Sequence, residues 1–96
     1  MANDTGSIEI DFGAAPGSVY ANVAVTGQSG IVSTSNIEAF MMVEASTDHV
    51  AANHIVAAAL IKFSCGDIVD GVGFTIHAVA EQALTGLFKV RWVWAD

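Results

Sequence analysis

A few side chains in this chain could carry acid–base, nucleophilic or metal chemistry. The densest stretch is DHVAANH, which holds Asp48, His49 and His54. Histidines five positions apart do not share a helix face, and the spacing matches neither the HExxH pair nor a zinc-finger pattern. The stretch therefore reads as a loop whose imidazoles make ordinary hydrogen bonds, with Asp48, His49 and His54 as candidate ligand contacts. The alternative is a metal at an oligomer axis or subunit interface, with ligands borrowed from a neighbouring copy. His77 lies among apolar strand residues, where an imidazole satisfied within the sheet is the ordinary case. Cys65 is the single cysteine, so neither an intrachain disulfide nor a CxxC redox pair is available, and no activating partner is identifiable. Asp67 and Asp70 in DIVDG supply too few oxygens for a calcium loop. The Gly-x-Gly of DGVGF precedes a strand and lacks the third glycine and helix of a dinucleotide site, so Gly71 and Gly73 read as turn and bulge residues. No nucleophile or acid–base pair with an orienting third group is evident. The expectation is a non-enzymatic protein with no catalytic residue, no cofactor and no metal needed for folding.

Most of these residues sit among segments with a period of two, the strand signal. SIEIDF puts Ile8, Ile10 and Phe12 on one face and Glu9 and Asp11 on the other. GAAPG follows as a turn. SVYANVAVTG aligns Val19, Ala21, Val23 and Val25 against Tyr20, Asn22 and Thr26. GQSGIVSTS reads as a loop or short edge segment. NIEAFMMVEAS places Ile37, Ala39, Met41 and Val43 inward, with Glu38, Phe40, Met42 and Glu44 outward. STDHVAANHIVAAAL is ambiguous: the reading is a helical turn over 48–53 and then a strand to about Ser64, with a helix through Leu60 as the alternative. CGDIVDG and EQALTG read as turns. VGFTIHAVA and LFKVRWVW alternate again, with Phe74, Ile76 and Ala78 sharing one face of the first, and Phe88, Val90, Trp92 and Trp94 one face of the second.

Six or so short strands with turns between them predict an all-β fold, a single antiparallel β-sandwich over residues 1–96 with 1–6 flexible. The expected core includes Ile8, Ile10, Val23, Val25, Met41, Val43, Phe74, Ile76, Val90 and Trp92.

Composition narrows the partners. The 96 residues are 53% hydrophobic and only 14% charged, against about 25% charged in an ordinary soluble domain. A domain this small cannot hide all of that apolar surface, which points to copies of itself or a larger assembly. The net charge of −7, with three basic residues, argues against nucleic acid, because phosphate contacts need clustered Lys and Arg. The charge-free run from Phe12 to Ile37 is too polar for a membrane span. MANDTGS has neither the positive region nor the apolar stretch of a signal peptide, so synthesis in the cytoplasm is expected.

The ending FKVRWVWAD concentrates both tryptophans and two of the three cations. GVGFTIHAV, a turn and then FKVRWVWAD resemble the last hairpin of the H-type lectin domain, whose ending runs Gly-Phe-Thr-Ile, a turn and a strand closing on Trp-Ile-Ala. That resemblance covers the last 25 or so residues. It implies a six-stranded antiparallel sandwich that forms homotrimers, and binding of host glycans as a receptor-recognition module. In those lectins the hairpin turn brings a Trp to the sugar, whereas AVAEQALTG here has no aromatic. The whole chain is also similar to small phage proteins with VTGQ (Val25 to Gln28), an EA…DH…H middle (Glu38 to His54) and a terminal VRWVW (Val90 to Trp94). That similarity implies a virion structural protein, a homo-oligomer docking on phage capsid or tail proteins. Phe40, Met42, Arg91 and Trp94 are the expected interface residues, since aromatic, Met and Arg side chains anchor such contacts.

Overall fold

A computed structural model describes residues 3–41, 49 and 51–95. Six strands and one helix follow in the order β1 (Asn3–Asp11), β2 (Ser18–Val25), β3 (Asn36–Met41), α1 (Ala51–Leu60), β4 (Ile61–Val69), β5 (Gly73–Leu84) and β6 (Leu87–Ala95). They form two three-stranded antiparallel sheets, β1-β6-β3 and β2-β5-β4. The all-β sandwich expected from the alternation is the observed architecture.

β5 and β6 do not pair as a hairpin: they lie in different sheets, each at the centre of its own. Central strands are flanked on both sides and carry most of the core. On β6, Phe88, Val90, Trp92 and Trp94 are buried and alternate with half-buried residues. Phe74, Ile76, Ala78 and Ala80 of β5 face them from the other sheet. Ile10, Ala21, Val25 and Ile61 complete the strand contribution, Phe12 just beyond β1 joins them, and Ile8, Val23 and Met41 pack against it half-buried. Val43 and Met42 lie outside the described residues.

Several boundaries differ from the sequence expectation, each for a local reason. β1 begins at Asn3 rather than at Ser7: Asn3 to Gly6 extend it along β6, opposite Ala95 to Trp92, and the Thr5 hydroxyl donates to the Trp92 carbonyl at 2.8 Å. The chain from Ala51 to Leu60 is a helix, the alternative reading, rather than a helical turn followed by a strand, and the strand begins only at Ile61. The segment's alanines favour helix, and His54 and Ala57, buried three apart, lie on one face packed on the sandwich. CGDIVDG is strand as far as Val69, with a register break between Gly66 and Val69. The turn in EQALTG is confined to its end, because β5 continues to Leu84. Val19, expected inward, is exposed because the β2–β5 register breaks between Ser18 and Tyr20.

One end of the sandwich is closed by the β2–β3 loop. Gln28 N donates to the Val72 carbonyl and Gly71 N to the Ile31 carbonyl, at 2.8 and 2.9 Å. These two bonds fasten the loop to the β4–β5 turn, where Gly71 has a φ of 71°. Ile31 is thereby driven into the core, 1% exposed.

Candidate functional site

Of the candidate ligand contacts, Asp48 lies outside the described residues; the structure places His49 and His54 together against β6. The His49 ring stacks on Phe88 with centroids 3.9 Å apart, and His54 meets the same ring edge-on at 5.3 Å. Hydrogen bonds occupy the imidazoles. His49 Nε2 lies 2.8 Å from the Thr85 carbonyl, so it carries the proton, and Nδ1 accepts from the Asn53 amide at 3.2 Å. His54 is fully buried, and its Nε2 accepts the backbone N–H of Lys89 at 2.9 Å.

That last bond ties α1 directly to β6. A buried N–H left unsatisfied costs about 1–3 kcal/mol. His54→Leu should therefore lower the melting temperature by roughly 10 °C, while His77→Ala, on an exposed network, should change it little. Thermal melts of the two variants compare them directly, and equal small shifts would rule out the helix-to-strand role of His54.

A second cluster lies on the outer face of β2-β5-β4. The Tyr20 hydroxyl is 2.6 Å from His77 Nδ1, and His77 Nε2 is 2.8 Å from Asp67 Oδ2. The neutral arrangement that satisfies both contacts has Tyr20 donating to Nδ1 and Nε2–H donating to the carboxylate. Asp67 reaches this position because it takes a left-handed conformation, φ 52°, within the irregular stretch of β4. Aspartate tolerates this better than most residues. Chemically this is a hydroxyl–imidazole–carboxylate relay. Its setting is an open sheet face, with side-chain exposures of 32% for His77 and 69% for Asp67, and the cavity beside Asp67 is only about 90 Å³. The relay ties three strands together across the register, and an exposed pair of this kind contributes little stability. Sequence reading placed His77 in the sheet but could not supply its partners, which lie 57 and 10 residues away.

Larger hollows occur at the two ends. One of about 460 Å³ lies beside His49 and is lined by Asp11, Gly13, Thr85 and Gly86 among others. Another of about 370 Å³ is lined by Asn3, Asp4, the 27–30 loop and Trp94. Trp94, one of the expected interface residues, packs into the core. Its side chain is 3% exposed, and its indole N–H donates to Gln28 Oε1 at 2.9 Å. The indole is committed to holding the β2–β3 loop in place, and it offers no open ring face for stacking on a sugar.

The other two described interface candidates share one surface. Phe40 of β3 pairs with Arg91 of β6 on the outer face of β1-β6-β3, and Phe40 is 41% exposed. Met42 is outside the described residues. Cys65 lies at the flank of the sandwich, half-buried; burial, and then the Glu38 carboxylate, raise its thiol pKa. A raised pKa leaves less thiolate at neutral pH, opposite to what a nucleophilic cysteine needs. Among the described residues, no group of three or more His, Cys, Asp or Glu is arranged to hold a metal ion. No helix among them is long and apolar enough to cross a membrane. Compared with known protein families, characterised proteins and solved structures, the chain gives no match.

Proposed function

We propose that this chain is a non-enzymatic structural protein that works through its surfaces, a β-sandwich that self-associates and docks on the capsid or tail of a phage particle. The observation that carries this reading is the apolar exposure on the outside of both sheets. Phe40 is exposed on β1-β6-β3, and Tyr20 and Val79 stand opposite one another across the β2–β5 ladder, 44% and 55% exposed. Val69 and Val72 extend the apolar surface at the adjoining β4–β5 turn. Exposed apolar groups gathered on sheet faces mark surfaces that another protein covers. The low charge fits the same reading, and the choice of a phage particle as the docking partner follows the resemblance of the VTGQ, EA…DH…H and VRWVW stretches.

Quantitative mass spectrometry of purified particles, from the phage whose genome carries this sequence, tests it. The chain should be present in a fixed copy number related to the particle's symmetry. Its presence in the lysate together with its absence from washed particles would overturn the reading.

A further inference from the structure

Both outer faces are open, but they differ in charge. Lys89 and Arg91, two of the three basic residues in a chain of net charge −7, lie side by side on the outer face of β1-β6-β3. The ladder sets Glu9 opposite Lys89, Ser7 and Phe40 opposite Arg91, Thr5 and Glu38 opposite Val93, and Asp11 opposite Leu87. Positive and negative groups nearly balance there. Elsewhere on the described surface Asp4, Asp67, Asp70 and Glu81 are exposed with only Lys62 to offset them. Two acidic molecules repel one another across most approaches, and like-charge juxtaposition costs several kcal/mol at an interface. This face is where that repulsion is lowest and where opposite charges can meet.

We infer that a second copy of this chain covers the outer face of β1-β6-β3, packed face to face about a two-fold axis, with Arg91 of each copy meeting Glu38 of the other. This rests on the self-association proposed above and assigns it a surface. A planar face that pairs with itself does so isologously, residue i on j and j on i. An axis crossing β6 between Arg91 and Val93 lays Arg91 of one copy over Val93 of the other. Glu38 is then one strand spacing away, about 4.8 Å laterally, and the two Phe40 rings meet alongside. Arg91 has five donors, so a partner within its own chain still leaves donors for the second copy.

The footprint sets the strength. Strands of nine, nine and six residues, about 4.8 Å apart and rising about 3.4 Å per residue, cover roughly 390 Å² per copy. That is about half of the usual 800 Å² per partner. A contact of that size belongs to the weak, transient end of protein–protein interfaces in free solution. On a particle surface, neighbouring copies held by their own docking contacts would reach effective concentrations in the millimolar range.

Sedimentation velocity over a concentration series tests the inference through charge reversal. The wild-type chain should move from monomer to dimer as concentration rises. Arg91→Glu and Glu38→Lys, each checked for fold by circular dichroism, should stay monomeric at ten times the concentration that pairs the wild type. Their equimolar mixture should pair again, since both reciprocal contacts are then between opposite charges. If Arg91→Glu does not fold, Phe40→Ser, at an exposed position, replaces it and should also stay monomeric. Variants that associate as the wild type does, a mixture of folded variants that fails to recover, or a wild-type trimer would each overturn this face while leaving self-association standing. A wild-type chain monomeric at millimolar concentration would overturn both.

Discussion

Replacing Trp92 with alanine should remove about 3–5 kcal/mol of stability and lower the melting temperature by on the order of 20 °C. Trp92 is 5% exposed at the middle of β6, and its ring meets Phe74 of the opposite sheet at 5.5 Å and 76°. It therefore joins the two central strands through the core. Its other neighbour makes the site hard to refill. Gly6 stands opposite Trp92 in the β1–β6 ladder, and a Cβ there would lie 2.7 Å from Trp92 Cζ2. The indole thus occupies the space above a residue with no side chain, and truncation leaves a void with bare backbone on one side. Small domains have a total stability of about 5–15 kcal/mol, so the variant should be partly unfolded at 37 °C. Lys62→Ala, exposed on the other sheet, should stay within about 0.5 kcal/mol of wild type. Urea titrations followed by tryptophan fluorescence measure both, and similar midpoints for the two variants would contradict the sheet-to-sheet role of Trp92.

The strands were legible because one-sided burial leaves a period of two in the chain, and that period is strongest where a strand sits mid-sheet. LFKVRWVW reads correctly along its whole length, and NIEAF correctly turns Phe40 outward. Legibility failed wherever burial depends on a neighbour that the pattern does not mention. Ala51 to Leu60 has no alternation because it is a helix that buries His54 and Ala57 against the sandwich. A histidine there looks like a loop residue until its bond to the Lys89 N–H is known. Ile31 and Val32 are neighbouring apolar residues in a loop of Gly, Ser and Thr, yet only Ile31 is buried, held there by the bonds that fasten the loop to the β4–β5 turn. The same loop explains Trp94: nothing in VRWVW reveals that Gln28 will reach over the end of the sheet to accept from the indole. For the candidate site, residue types were readable and partners were not. The Tyr20–His77–Asp67 contacts need both the β2–β5 register and the left-handed turn of Asp67.

The two glycines flanking the β4–β5 turn show the same division between what a sequence states and what packing decides. Gly66 and Gly73 look interchangeable in CGDIVDGVG, and the second reads as a bulge. The bulge belongs instead to the stretch between Gly66 and Val69. Gly73 is the first residue of β5, buried where the end of β2 crosses it, and a Cβ there would fall 1.7 Å from the Val25 carbonyl oxygen and 2.8 Å from its carbon. Both are backbone atoms, so no rotamer change can relieve the overlap. The end of β2 must move away from β5, taking with it the Val25–Phe74 pairing and the loop that holds Ile31 and Gln28 in place. Overpacking a core by a methyl group ordinarily costs about 1–3 kcal/mol. A clash between two backbones should exceed that range, so Gly73→Ala is expected to destabilise by more than about 3 kcal/mol. At Gly66 a Cβ would meet nothing within 4 Å, and Gly66→Ala should be neutral or stabilising by up to about 1 kcal/mol, because alanine restricts the unfolded chain. Thermal melts of the pair decide the matter: opposite signs are expected, and a Gly73→Ala variant as stable as Gly66→Ala would mean that β2 does not cross β5 at this point.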